Sequence, residues 1–475
     1  MEQNSSPDLP DPSRVDAPPP PPFPPRSFGK VPGFDGLRAI ALLIIFVAHM
    51  NVILPIPTLL VIPGATVSLD AFFVLSGFLI TSLLLREQFK EGRIGIGPFY
   101  RRRVIRLLPA LYIVVLATAL FAYFSHQWLK TEVPSIFSVV FYYANYYSAS
   151  ATGPLSPRLA SGFQHLWSLS FEEQFYLLWP WVTIVLLTIR TRLRTVVIVL
   201  TSLIAIIAVH RFVSYHQTHA WWSLIYRTDT RADSIMWGSL LAHIWMRGKE
   251  PKRGVRVAGW VAVGVLLGTL TFTTENGQFV FDGGFLLIDA SCAVLLLAIL
   301  DGRWGARHFF EMKPLVALGL VSYAFYLWHL PVFFAIRYFD PHWSDAVRVI
   351  VAVIVTLVLT LLSWFLIERP LMRWSRKLEA RRFGASNKAE SVAPVASRDA
   401  LQMALQTRLV DDGSSGTRRP AGSEAGRSAE GTEAEPSGGQ SAAGAPSLSS
   451  IRLEGSARSL RPTRSSKPDS DMPRE

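Results

Sequence analysis

Long apolar runs broken by short polar stretches fill the middle of the chain. They begin near Leu37, Gly64, Val104, Trp167, Thr195, Arg231, Val257, Gly283, Pro314 and Ala346. Each approaches the roughly 20 residues that a helix needs to cross a bilayer. One further run, Val133–Tyr147, is shorter and rich in tyrosine. The pattern predicts an all-α polytopic membrane protein with about ten transmembrane helices.

Charge placement orients these helices. Basic residues cluster in 86–106, at Arg190, Arg192 and Arg194, and in 247–256, 303–313 and 373–382. The intervening loops carry few: Lys130, Arg158, Arg211 and Arg337. The positive-inside rule puts the clusters in the cytoplasm. With the N-terminus inside, two helices return the chain to the cytoplasm at Arg86. The third exits near Ser125, and the helix from Trp167 must run inward to reach Arg190. A full crossing by Val133–Tyr147 would break that parity. It is therefore expected to be a partial or surface-lying segment on the outer side. The expectation is a multi-pass protein of the cell (cytoplasmic or inner) membrane with both termini cytoplasmic.

Composition sharpens the division. Of 475 residues, 50% are hydrophobic and 17% charged, against roughly 25% charged in an average soluble domain. Residues 1–32 hold 3 basic and 4 acidic residues, and 375–475 hold 16 and 13. That leaves 28 basic and 18 acidic in 33–374, the predicted membrane domain. The arm 1–32 contains Pro18 to Pro22, which favours extended polyproline backbone. It has no apolar h-region and does not read as a cleaved signal peptide. After about Arg382 the chain turns to Ser, Gly, Ala, Glu and Arg. Such a segment cannot bury enough apolar area to offset its ordering entropy, so 375–475 is predicted to be a disordered cytoplasmic tail. A short apolar stretch near Ala400–Val410 reads as a weak helix. The single cysteine, Cys292, excludes a disulfide scaffold. No P-loop, GxGxxG, HExxH or CxxC pattern occurs, no metal constellation is legible, and no nucleic-acid partner is expected.

Ionisable groups at membrane depth are costly and usually functional or mutually paired. In GFDGLRAIALLIIFVAHM, Arg38 and His49 stand 11 residues apart on one face, about 16 Å along the axis. Asp35 can pair with Arg38 at i, i+3. A buried imidazole at His49 suits proton transfer, or is a core histidine bonded to a neighbouring helix. SLDAFFVLSGFLIT places Asp70 among aromatics, to orient an imidazole, bind a hydroxyl or form a structural salt bridge. Its Ser76-Gly77 permits close helix approach. In FYRRRVIRLLPALY, Arg103 and Arg106 share a face a turn into the apolar run, and paired guanidiniums suit a phosphorylated ligand. HLWSLSFEEQFYLLWP places Glu172 and Glu173 toward the outer boundary among Trp167, Phe175, Tyr176 and Trp179. That cluster reads as an interfacial belt or a sugar-binding surface. YRTDTRADSIMWGSLLA carries Arg227, Asp229, Arg231 and Asp233, which can neutralise one another. SYAFYLWHLPV puts Ser322, Tyr326 and His329 on one helical face.

In order and spacing these motifs resemble the acyltransferase-3 family of integral-membrane, acyl-CoA-dependent O-acyltransferases, from roughly Pro32 to Trp374. The likeness rests on Arg-x10-His at Arg38 and His49, Arg-x-x-Arg at Arg103 and Arg106, and the acidic motif at Glu172. It extends through Arg231, Asp233, Ser322, Tyr326 and His329. The resemblance implies transfer of an acyl group, commonly acetyl, from cytoplasmic acyl-CoA to a hydroxyl. The acceptor would be an extracytoplasmic or lipid-linked carbohydrate, a glycolipid or a small molecule. No permanently bound cofactor is implied. Arg38, Arg103 and Arg106 would hold the donor phosphates. His49 would act as base or acyl carrier, with Asp70 and Glu172 orienting it or binding the acceptor. Arg231, Asp233, Ser322, Tyr326 and His329 would bind acceptor or serve as structural polar groups. Some members carry an esterase-like domain after the membrane part. The tail here has no GDS-type nucleophile motif, so a separate extracytoplasmic transfer protein is a candidate partner. The competing class is a transporter or flippase of a polar or lipid-linked substrate, with the same charges lining a polar path.

Overall fold

A computed structural model of the chain describes residues 31–54, 67–126, 132–151, 161–188, 192–246, 254–274, 276–339 and 342–378, with isolated positions between them. The proline-rich arm, the low-complexity tail with its stretch near Ala400–Val410, and Lys130, Arg158 and Arg190 lie outside these residues. Among the described residues the fold is all helix, without a strand.

The chain rises through α1 (Pro32–His49), returns in α2 (Val67–Glu91) and rises again in α3 (Ile96–Phe124). Two short helices follow, α4 (Glu132–Val140) and α5 (Ala144–Ala149). At 9 and 6 residues and 1.5 Å per residue, neither can cross a bilayer. The predicted partial segment is thus a broken helical hairpin, interrupted at Tyr142 with φ 55°. A 3-10 segment, Ser161–Leu166, leads into α6 (Trp167–Thr188). Next come α7 (Leu193–Thr218), α8 (Trp221–Tyr226), α9 (Thr228–Met246) and α10 (Gly254–Phe272). A π-turn at Val280–Gly284 opens α11 (Phe285–Leu300). The short α12 (Arg307–Phe310), α13 (Lys313–Leu320) and α14 (Ser322–Phe339) follow. Finally α15 (Asp345–Ser363) runs through a second π-turn, Trp364–Glu368.

Every one of the ten apolar runs is helical, but they are not equivalent. Among the described residues, seven helices are long and apolar enough to cross a membrane: α1, α2, α3, α7, α10, α11 with its π-turn, and α15. The pair α13 and α14, bent by 73°, makes an eighth if the two are counted as one span. Seven or eight of the expected spans thus qualify on length and apolarity alone. Helices α6 and α9 have 22 and 19 residues but carry Glu172 and Glu173, and Asp229, Arg231 and Asp233, which lower their hydropathy. Both lie among other helices, where neighbouring side chains can satisfy those charges.

Close approach is built from glycine. A methyl group at Gly77 of α2 would meet the Ile235 carbonyl oxygen at 1.9 Å, and one at Gly238 of α9 would meet the Val74 oxygen at 1.8 Å. The two backbones therefore touch, as small residues allow between membrane helices. Trp179 Nε1 of α6 donates to Thr81 Oγ1 at 2.7 Å, and Thr81 donates to Ser239 at 2.9 Å. Trp167, Phe175, Tyr176 and Trp179 are all buried. They form core, packing with Phe73, Phe171 and Leu111, and not the interfacial belt their sequence allowed.

Candidate active site

Near the arginine-rich end, α1, α2, α3, α6 and α14 enclose a cavity of about 410 Å³. Its charged lining is Arg38, Arg103, Arg106, Glu172 and Glu173, and Ser322 and Tyr326 face it from α14. Arg38 pairs with Asp35 at 3.0 Å, the i, i+3 contact its spacing suggested. Arg103 forks onto Glu173, with Nε at 3.4 Å and Nη2 at 3.2 Å, and its guanidinium lies over the Tyr176 ring. Arg106 makes no hydrogen bond or ion pair among the described residues and is solvent-accessible, so its charge is open to a ligand. Glu172 accepts from Ser76 Oγ at 3.1 Å and from Tyr176 Oη at 3.2 Å.

This corrects the placement of the acidic pair. Glu172 and Glu173 share a cavity with the arginines and do not stand at the opposite boundary. The 3-10 segment Ser161–Leu166 packs against α14 inside the bundle, so α6 starts at depth and its second turn reaches the arginines.

The cavity opens at Ile80, Leu83, Arg103 and Arg106 onto a groove of about 910 Å³ between the end of α2 and the start of α3. Seven basic residues line that groove against Glu87 and Glu91. Together they form a cationic path from the surface into the bundle.

Beyond Tyr326 lies a cluster of imidazoles. His49 Nδ1 is 3.0 Å from His329 Nε2, and the rings stack with centroids 5.2 Å apart. His329 Nδ1 is 2.6 Å from the Tyr326 carbonyl oxygen. A carbonyl can only accept, so the His329 proton sits on Nδ1. With both rings neutral, His329 Nε2 is an acceptor and His49 Nδ1–H donates to it. His49 Nε2 is left with its lone pair, the form a general base needs. The side chain that hydrogen-bonds His49 is therefore that of His329.

A third imidazole, His165, packs edge-on against His329 at 4.9 Å and Tyr326 at 5.0 Å. Its carbonyl accepts from Tyr326 Oη at 2.5 Å, while Ser168 Oγ and Tyr326 Oη are 2.7 Å apart. His165 opens the HLWSLSFEEQFYLLWP motif, whose pattern assigns it no role. A lone histidine outside an apolar run carries little signal.

Asp70, Arg231 and Asp233 lie elsewhere, in a buried network of α2, α7, α9 and α11. Arg231 pairs with Asp70, and Arg211 Nη1 donates to Asp233 at 2.8 Å and to the Thr230 carbonyl at 2.6 Å. Ser234 Oγ lies 2.9 Å from Asp289 and 3.3 Å from Asp70. The Phe285 ring underlies both guanidiniums, at 3.6 and 4.9 Å. Arg211 is not a loop charge but a residue of α7, 1% exposed. Asp289 was missed, although an aspartate inside FLLIDASCAVLLL breaks the same rule as Asp70. This arrangement is the structural salt bridge that Asp70 allowed. No group of His, Cys, Asp and Glu suited to a metal occurs among the described residues.

Comparison with known proteins adds to this geometry. A family model described as "Acyltransferase domain" matches residues 31–369. "O-acetyltransferase OatA" of Staphylococcus aureus (strain NCTC 8325 / PS 47) is 30% identical over 358 residues, covering 72% of this chain and 57% of its own length. "Putative peptidoglycan O-acetyltransferase YrhL" of Bacillus subtilis (strain 168) is also 30% identical, covering 72% and 55%. "Peptidoglycan O-acetyltransferase OatA" of Listeria monocytogenes is 28% identical over 354 residues, covering 72% and 56%. The chain spans a little over half the length of these curated relatives. No solved structure matches it.

Proposed function

The chain belongs to the acyltransferase-3 family, and from that premise we propose that it transfers an acyl group, acetyl by analogy with its relatives, from acyl-CoA to a carbohydrate hydroxyl. Peptidoglycan is the acceptor named for two of those relatives. The orientation that fits this reading puts the arginine-rich groove and both tails in the cytoplasm of a cell-membrane protein. The His49 end then faces outward. The observation that carries the reading is the cationic groove leading into the cavity of Arg38, Arg103 and Arg106, with the His49–His329 pair behind Tyr326.

The proposed donor is a thioester on a long, flexible arm ending in phosphates. Its phosphates would neutralise the groove and Arg106, whose guanidinium forks suit phosphate oxygens. The arm would run up the cavity past Tyr176 and Tyr326. The acceptor hydroxyl attacks the thioester carbonyl carbon, forming the new C–O bond as the C–S bond breaks. His49 Nε2 takes the hydroxyl proton and then gives it to the departing thiolate. The same lone pair permits a route through a transient acyl-histidine. Glu172, fixed by Ser76 and Tyr176, stays within the donor cavity.

The test is binding and turnover of radiolabelled acetyl-CoA by the purified full chain. Saturable binding with release of free CoA thiol supports the reading. Absence of both, in protein that remains folded, refutes it.

A further inference from the structure

Three carboxyl groups and two guanidiniums are buried where α2, α7, α9 and α11 meet. Asp70, Asp233 and Asp289 are fully buried, and Arg211 and Arg231 are each 1% exposed. Two of the carboxyls are matched, Asp70 by Arg231 and Asp233 by Arg211. Asp289 makes no ion pair among the described residues; its polar contact is with the Ser234 hydroxyl. With all three carboxyls ionised, the group carries one net negative charge in an interior shielded by the Phe285 ring. An uncompensated charge at such a place is costly.

Counting hydrogen atoms shows where the imbalance is relieved. Ser234 Oγ stands 2.9 Å from Asp289 Oδ2 and 3.3 Å from Asp70 Oδ1. A hydroxyl has a single proton to donate, so it can serve one carboxylate and must turn a lone pair toward the other. A proton on Asp289 Oδ2 removes that conflict. Asp289 then donates to Ser234, Ser234 donates to Asp70, and Asp70 keeps its pair with Arg231. The five charged side chains then sum to zero. Other groups along α11 are engaged elsewhere or lie at a distance. Cys292, one turn on, is buried. In the preceding π-turn, Asp282 is held by His216 at 2.7 Å. Helix α10 brings Arg256 to Asp301, about 18 Å from Asp289 along the axis. Helix α1 meets α11 at that same end, where Gly33 lies against Ile299. The charges facing Asp289 are thus Asp70 from α2, Arg211 from α7, and Arg231 and Asp233 from α9.

We propose that Asp289 is a proton-binding site of the membrane domain: it carries a hydrogen in the folded chain and, through Ser234, ties α11 to α9 and α2. The unfolded chain has released that proton at neutral pH, so folding takes one up. The folded state then binds more protons than the unfolded state, and the site becomes more costly to fold as pH rises. The proton site does not depend on the reaction the chain catalyses.

The test replaces carboxyl by amide in the full chain, purified in lipid nanodiscs. Asp289→Asn keeps the shape and the donor of a protonated acid. It should fold in a yield within about twofold of wild type, because no ion pair is broken. Its melting temperature relative to wild type should rise between about pH 5.5 and about pH 8, since only the wild type must hold a proton. An infrared difference spectrum at neutral pH, wild type minus Asp289→Asn, reads the protonation state directly. It should contain the carbonyl stretch of a protonated carboxyl, displaced in heavy water. A carboxylate band in its place overturns the proposal. So does a severe loss of folded Asp289→Asn protein, or a melting difference that is the same at both pH values.

Discussion

His49 Nδ1 and His329 Nε2, 280 residues apart in the chain, lie 3.0 Å from each other. The Tyr326 carbonyl fixes the tautomer of His329, and His329 thereby fixes that of His49. The positioning role has a signature that simple packing lacks. Glutamine at 329 keeps an acceptor for the His49 proton, and leucine does not. His329→Gln should retain about a tenth of wild-type kcat, and His329→Leu about a hundredth or less. The acidic limb of the pH–rate profile should shift in both. Equal losses with an unshifted profile would make His329 a packing residue only.

In the proposed donor cavity Arg106 makes no hydrogen bond or ion pair among the described residues, whereas Arg38 is paired with Asp35 and Arg103 with Glu173. Arg106→Gln should raise the KM for acetyl-CoA at least tenfold with a smaller change in kcat. Arg106→Glu should abolish measurable donor binding. Arg103 is already held by Glu173, so Arg103→Gln should also loosen α6. Part of its effect should appear as a lower melting temperature. Unchanged affinity for acetyl-CoA in both Arg106 variants would remove this residue from the donor site.

Asp70 and Arg231 form an ion pair at 0% and 1% side-chain exposure. Removing one partner leaves a buried charge uncompensated, typically at about 3–5 kcal/mol. Asp70→Asn and Arg231→Leu should each cut the yield of folded protein sharply. The double variant should recover part of that loss. Normal yield with abolished turnover in Asp70→Asn would instead give Asp70 a role in chemistry.

Glu132 titrates in an unusual range. Burial pushes its carboxyl up to about 7, and Arg337 is the other charged group lining its cavity. A carboxyl raised in the folded state binds more protons folded than unfolded across this window. Stability therefore falls as pH rises from about 4.5 to about 7, then stays flat. Glu132→Gln removes this penalty. The variant should gain in melting temperature over wild type at pH 8 and show little gain at pH 4.5. An equal difference at both pH values would contradict a neutral buried Glu132.

Much of the fold was legible in the sequence, because membrane spans need only length and apolarity. The ten runs, the broken segment at Val133–Tyr147 and the close approach at Gly77 all follow from local pattern. The arginines were legible too, since a charge inside an apolar run demands a partner. Partner choice was not. The pairing of His49 with His329, or of Arg211 with Asp233, depends on helix packing that spacing within one helix does not encode. Depth was misread where regularity broke. The 3-10 segment before α6 starts that helix inside the bundle, which moved Glu172 and Glu173 to the arginine end. Glu132 and His165 escaped notice because one opens the short helix α4 and the other lies in a 3-10 segment, both outside the long apolar runs. There a polar residue is ordinary until its burial is known.

In the proposed reaction His49 performs the proton transfer of acyl-CoA-dependent O-acylation. The most direct measurement compares transfer of radiolabelled acetyl from acetyl-CoA to cell-wall glycan in membranes containing wild-type chain or His49→Ala, at matched expression. Loss of a general base should lower the rate by about 10²- to 10⁴-fold, with acetyl-CoA affinity changed less than about threefold. Substantial retained transfer by His49→Ala would remove His49 from the proton transfer.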